Sequence, residues 1–192
     1  METDPALWIQ ALRHSHDRLR AVAGPLGLGQ LQRPSYAAAW SIAQVLSHLG
    51  SQAEVFGLFL DAGLTGEDPP GRATFTPIWQ AWNAKSAQAQ AGDALRADLA
   101  VTERFESLDA GQCKRLRLKV FGMELDTAGL ARMRLGEHAI RRRGCQLGRM
   151  GPLPGQRASA SGCAPTALPP AADGARAAPG RPGDCRSEGF LP

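Results

Sequence analysis

Ser41-Ile42-Ala43-Gln44-Val45-Leu46-Ser47-His48-Leu49 is the stretch that decides the fold. It opens on a serine followed three residues later by a glutamine. A serine hydroxyl at an N-cap accepts from the N3 amide, and a glutamine at N3 reaches back to the serine amide. Behind this cap Ile42, Val45, Leu46, Leu49, Ala53, Phe56 and Leu60 recur at the period of one helix face. The pattern predicts a long amphipathic helix ending near Gly63, ahead of a loop from Gly66 to Gly71 that holds Pro69-Pro70.

Three more helices flank it. Asp4 as N-cap with Pro5 at the first helical position predicts a helix that carries Leu7, Leu12, Leu19 and Val22 and stops at Gly24-Pro25. Thr76-Pro77 reads as the opening of a third helix. That helix runs through Trp79, Trp82, Ala89, Leu95, Leu99 and Phe105 to about Leu108, with Gly92 as a weak point and Asp109-Ala110-Gly111 as a stop. Leu116 to Phe121 alternates, but its charges make it a poor core strand, so it is assigned as a connector. Thr127 caps a fourth helix with Leu130, Met133 and Ile140 on one face. Four amphipathic helices joined by short or medium connections imply an all-α, antiparallel four-helix bundle.

Charge divides the chain. Up to Ile140 there are 14 Lys and Arg against 15 Asp and Glu; from Arg141 to Pro192 there are 8 Arg and no Lys against 3 acids. The sequence pI of 9.2 therefore describes the tail and not the front. Gly, Ala, Pro and Arg make up 34 of those last 52 residues. Such a segment buries too little apolar surface to offset the entropy of ordering it. The expected organisation is a helical bundle over 4–147 and a disordered Ala/Gly/Pro/Arg-rich tail over 148–192. The N-terminus has no basic region ahead of an apolar run, and no stretch approaches the roughly 18 apolar residues of a membrane span. A cytoplasmic protein with reduced thiols, no membrane partner and no nucleic-acid partner is the expectation; the run Arg141-Arg142-Arg143 is weak evidence for phosphate contacts.

Glu137 is the most informative single residue. It falls seven after Leu130 and four after Met133, which places a carboxylate within an apolar stripe. A buried carboxylate needs a partner. A salt bridge to Arg134 or Arg33, a partly open bundle end and a bound cation are all compatible with the spacing. His48 lies on the flank of the clearest helix, where a hydrogen-bonded core residue and a metal ligand are both compatible. His14 and His16 sit in a polar run and read as solvated surface. His138 points about 100° away from Glu137 around the helix. Trp40, Trp79 and Trp82 read as core or pocket-lining residues, and no residue is assigned a catalytic role.

Two segments together resemble a known family. Ala39-Trp40-Ser41-Ile42-Ala43-Gln44-Val45-Leu46-Ser47-His48-Leu49 is similar to the GW-[ST]-v-x-x-v-l-x-H-l segment of DinB-like metal proteins. Arg132-Met133-Arg134-Leu135-Gly136-Glu137-His138-Ala139-Ile140 resembles the R-x-x-E-h-x-x-H-x-W-D segment of the mycothiol-dependent maleylpyruvate isomerase family, within its metal-binding domain. The resemblance spans roughly residues 5–140. It implies a DinB-like bundle and one divalent ion, usually zinc, held by a His of the second helix and by a Glu and a His of the last. On this chain it assigns His48 and Glu137 as metal ligands. It further implies mycothiol, a low-molecular-weight thiol, as cosubstrate beside a small-molecule substrate. The ion would hold the thiol as thiolate, for isomerase or thiol-transferase chemistry.

The departure falls at Arg141, where the family's last His belongs; the Trp-Asp that follows is absent too. A guanidinium stays protonated and is not a zinc ligand. The expected site is therefore incomplete. The alternative is a non-catalytic helical protein whose basic tail binds acidic partners. An abrupt change into Ala/Gly/Pro/Arg-rich sequence is also what reading GC-rich DNA in another frame produces, as against a genuine lineage-specific tail. The nucleotide sequence around codon 141 checks this. The frame-change reading expects His-x-Trp-Asp to be encoded in another frame just past Ile140, and fails if it is not.

Overall fold

The computed structural model describes the backbone of residues 4–35 and 39–150 and side chains as far as Ala139. The expectations for Ile140 and Arg141 side chains and for residues 151–192 lie outside the described residues. Helix α1 spans Pro5–Ala23, and the Asp4 carboxylate accepts from the Ala6 amide at 2.9 Å. A one-turn helix, α2 (Leu28–Leu31), follows. Helix α3 spans Ile42–Thr65 with the expected capping box: the Ser41 amide donates to Gln44 at 2.7 Å and the Gln44 amide to Ser41 Oγ at 3.2 Å. It ends at Gly66, whose φ of 77° supplies the left-handed cap, rather than near Gly63. Gly63 instead lets Leu116 pack closely against the helix.

The expected third helix is two helices. Helix α4 (Arg72–Asn83) begins ahead of Thr76-Pro77, so Pro77 sits inside it, and the Thr76 hydroxyl donates to the Arg72 carbonyl instead of capping. Helix α5 (Ala87–Glu106) restarts at Ser86, whose hydroxyl accepts from the Ala89 amide, and it passes Gly92 without a break. The expected stop at Asp109 is also a start. Asp109 and Gln112 form a reciprocal cap on the short helix α6 (Ala110–Arg115).

The expected connector is a hairpin. Strand β1 (Leu118–Val120) pairs antiparallel with β2 (Met123–Leu125), Lys119 opposite Glu124. Leu118 and Val120 are buried while Lys119 is exposed, so the charge that argued against a strand lies on its solvent side. Phe121 and Gly122, at φ 52° and 78°, form the two-residue turn, a geometry that glycine accepts more readily than phenylalanine. Helix α7 spans Thr127–Met150, and its helical backbone continues past the composition change at Arg141. Asp126, not Thr127, caps it by accepting from the Gly129 amide at 2.7 Å, while the Thr127 hydroxyl donates to the Cys113 carbonyl.

Helices α1, α3, α5 and α7 form the bundle. Ala91 and Ala94 pack beside Ile42 to Leu49, and Val101 and Phe105 pack beside Phe56 to Leu60. Consecutive long helices α3 and α5 therefore run the same way, because α4 returns the chain between them. Helices α1 and α7 oppose that pair: Arg13 reaches Glu106, and Arg134 reaches Leu49. Trp82 of α4 lies across α3 at Gly50, donating from Nε1 to Glu54 at 2.8 Å.

Two glycines give a paired test. A Cβ on Gly50 would overlap the Trp82 ring, whereas nothing lies within 4 Å of one on Gly136. We expect Gly50→Ala to lower stability by about 1–3 kcal/mol through overpacking. Gly136→Ala should raise it by about 0.5–1 kcal/mol through helix propensity. Urea denaturation of the two variants checks both signs.

Candidate metal centre

The residues singled out in α3 and α7 meet. His48 Nε2 stands 3.3 Å from Glu137 Oε2, with the two side chains 11% and 30% exposed. The pair is thus at the rim of the bundle, His48 nearly buried and Glu137 partly exposed. Helix α7 runs antiparallel to α3, which brings Glu137 level with His48. Trp40, just before the α3 cap, lies against the His48 ring at 5.6 Å between centroids and 58° between planes. At that distance the two side chains are within hydrogen-bond reach of each other, and the separation also suits two donors on one ion. Two donors each about 2.0–2.1 Å from a tetrahedral zinc stand about 3.3 Å apart. His48 and Glu137 have that spacing.

Behind this pair is a fully buried polar cluster centred on Asp98 of α5. Its Oδ2 accepts from His16 Nδ1 at 2.8 Å. Its Oδ1 accepts from Arg134 Nη2 and from His138 Nε2, each at 2.7 Å. Burial alone would push the Asp98 carboxyl up. The hydrogen bonds from His138 and His16, with the charge of Arg134, outweigh burial and hold it far below the usual carboxylate range. Burial, together with Arg134, pushes the His138 imidazole below its ordinary value despite Asp98. A neutral His138 donates from Nε2 to Asp98 and accepts at Nδ1 from the Ser15 hydroxyl at 3.1 Å. Arg134 also donates from Nη2 to the Leu49 carbonyl at 3.1 Å, and its guanidinium carbon lies 5.5 Å from the centre of the Phe56 ring. Its Nε and Nη1 have no protein acceptor among the described residues.

Several expectations change here. His16 is buried and paired, not solvated surface, whereas His14 is exposed as read. Arg134 pairs with Asp98 and not with Glu137. His138 points away from Glu137 as read, and both its ring nitrogens are engaged. Asp98 was not singled out, yet it sits among buried Ala91, Ala94, Val101 and Phe105 as Glu137 sits among Leu130 and Met133. The same rule, an acid within an apolar stripe, finds it. Of the tryptophans, Trp82 is core and Trp40 and Trp79 are partly buried.

Among the described residues no group of three His, Cys, Asp or Glu is arranged to hold a metal ion. The Asp98 cluster has three such residues, but Arg134 already supplies its cation. A separate cavity of about 830 Å³ opens at the opposite end, between the starts of α1 and α7, where it meets Arg13, Glu106, Cys113 and Lys114. Burial pushes the Cys113 thiol up, with Asp109 adding to it, so that thiol is a poor nucleophile there.

Comparison with known proteins gives two findings. Residues 12–143 match the family model described as the mycothiol maleylpyruvate isomerase N-terminal domain. The chain is also similar to the solved crystal structure of the mycothiol-dependent maleylpyruvate isomerase, with a TM-score of 0.65 and 10% sequence identity, over 75% of this chain and 61% of that one. At that identity the likeness shows the fold alone, and the chain spans less than two thirds of that protein. No curated protein sequence matches.

Removing the Asp98 charge leaves Arg134 buried without a counter-ion. We expect Asp98→Asn to cost about 3–5 kcal/mol, the usual loss on breaking a buried pair. Because the folded value is depressed, Asp98 stabilises the parent above its unfolded pKa of about 4, and that contribution is lost as pH falls. Urea melts between pH 7 and pH 3 check this: the parent should weaken on acidification more steeply than the variant.

Proposed function

The chain belongs to the mycothiol maleylpyruvate isomerase N-terminal domain family, and from that premise we propose that His48 and Glu137 hold a divalent ion, zinc by preference, for thiol-dependent isomerase or transferase chemistry. The observation that carries the reading is the convergence of His48 Nε2 and Glu137 Oε2 from two helices, within hydrogen-bond reach and at a separation that two donors on one ion also have. One nitrogen and one carboxylate oxygen suit zinc, and partial exposure leaves room for a further ligand. An ion held by His48 and Glu137 would supply Lewis acidity that lowers the pKa of a coordinated thiol. The cosubstrate this implies is mycothiol, alongside a small-molecule electrophile.

The chain's own residues do the positioning. Trp40 packs beside the His48 ring, whose Nε2 faces Glu137. Glu137 brings the negative charge that attracts a cation to the rim. Helix α7 continues beyond Glu137, which puts position 141 one turn further on the same face. Arginine there withholds a third donor and brings a positive charge. The site is a two-ligand version of a three-ligand design.

Equilibrium dialysis with zinc, and cobalt(II) spectra, test the reading. The parent chain should bind weakly, and Arg141→His should tighten binding on the order of 100-fold or more by completing the ligand set. His48→Ala or Glu137→Gln in that background should abolish the gain. Tight stoichiometric zinc in the parent would overturn the incomplete site; no gain on Arg141→His would overturn the metal assignment.

A further inference from the structure

Glu137 faces His48 only if α7 has one particular rotation about its axis, and the side chains that set this rotation are not themselves at the rim. Arg134 and His138 stand four apart on α7, one above the other, and both donate to the same oxygen, Asp98 Oδ1. Glu137 lies between them in sequence and points to the side. The Nη2 group of Arg134 also donates to the carbonyl of Leu49, the residue after His48. One nitrogen therefore ties α7 to α5 and to the turn of α3 that carries His48. Asp98 Oδ2 ties in α1 through His16, and Ser15 of α1 donates to His138. All four long helices meet on this carboxylate and its two α7 partners.

We propose that Asp98 is a positioning residue: through Arg134 and His138 it fixes the rotation and height of α7, and so sets Glu137 against His48. It touches neither His48 nor the ion that the preceding reading assigns to that pair, and the proposal rests on that reading for its functional meaning. The geometry suits the task. Two bonds to one oxygen at 2.7 Å, from residues one turn apart, resist both rotation and sliding of the helix. A hydrophobic seam alone tolerates small slips, because apolar contact has no direction. A generic stabilising cluster would hold the helices together without fixing which residue of α7 meets His48.

The test reads the coupling of His48 to Glu137 directly, in metal-free protein. Ring nitrogen NMR shifts of His48 are recorded with Glu137 and with Glu137→Gln, in the parent and in Asp98→Asn. The proposal expects Glu137→Gln to move the His48 signals in the parent and to leave them unmoved once Asp98 is replaced. An equal response in both backgrounds overturns it. Because Asp98→Asn strands a buried guanidinium, Asp98→Asn/Arg134→Met is measured as well; it removes the guanidinium together with the carboxylate and removes the same tie. The parallel readout is cobalt affinity in the Arg141→His background, where loss of the positioning group should weaken binding 10- to 100-fold, the usual effect of removing a group that orients a ligand. If Arg141→His binds no cobalt, the metal reading fails while the NMR comparison still decides the positioning role. If cobalt binds equally with and without Asp98, the positioning role fails while the metal reading stands.

Discussion

A fully buried carboxylate needs its partners within hydrogen-bond reach, and Asp98 finds them on α1 and α7, with Arg134 carrying the connection on to α3. Burying it is costly, and the cost is met by one guanidinium and two imidazoles. Apolar packing on either side, around Phe56 and Phe105 at one end and Leu46 and Ala94 at the other, supplies most of the stabilisation. That packing has no direction. The ion pair and its hydrogen bonds do, and they make one arrangement of four helices distinct from its neighbours in rotation and register. His48 and Glu137 then occupy the rim of an arrangement already decided behind them.

The helices whose ends carry capping chemistry were legible in the sequence, because a cap is a local event. Asp4 and the Ser41/Gln44 box form as their residue types dictate. Thr76-Pro77 misled for a related reason. A threonine before proline is a common helix opening, but here one earlier turn forms from Gly71, and the Thr76 hydroxyl bonds back to Arg72. Reading the helix from the wrong start also hid Ser86 as a cap, and merged α4 with α5. The hairpin was read as a connector because its charges were counted against burial; Lys119 faces solvent opposite Glu124 while Leu118 and Val120 turn in.

The pair His48 and Glu137 was named from the sequence; of the cluster behind it only Asp98 has a local signal, an acid within an apolar stripe. His48 and Glu137 lie 89 residues apart in the chain, and nothing in local spacing says that they touch; the resemblance to a family supplied that pairing, and the structure brings them together. His16 sits in a stretch with Arg13, His14, Asp17 and Arg18 and looks exposed. Its burial is decided by Asp98, 82 residues away. No local pattern encodes such a partner. Arg141 remains the point at which family membership and chemistry part. The described contacts of α7 precede it, and an ion at the rim calls for a third donor in its place.

The most direct measurement is anomalous diffraction at the zinc edge from crystals of this chain grown with excess zinc. A peak about 2.0–2.2 Å from both His48 Nε2 and Glu137 Oε2 is the predicted result. Zinc bound only elsewhere, or no peak between these two atoms under saturating zinc, would contradict the assignment.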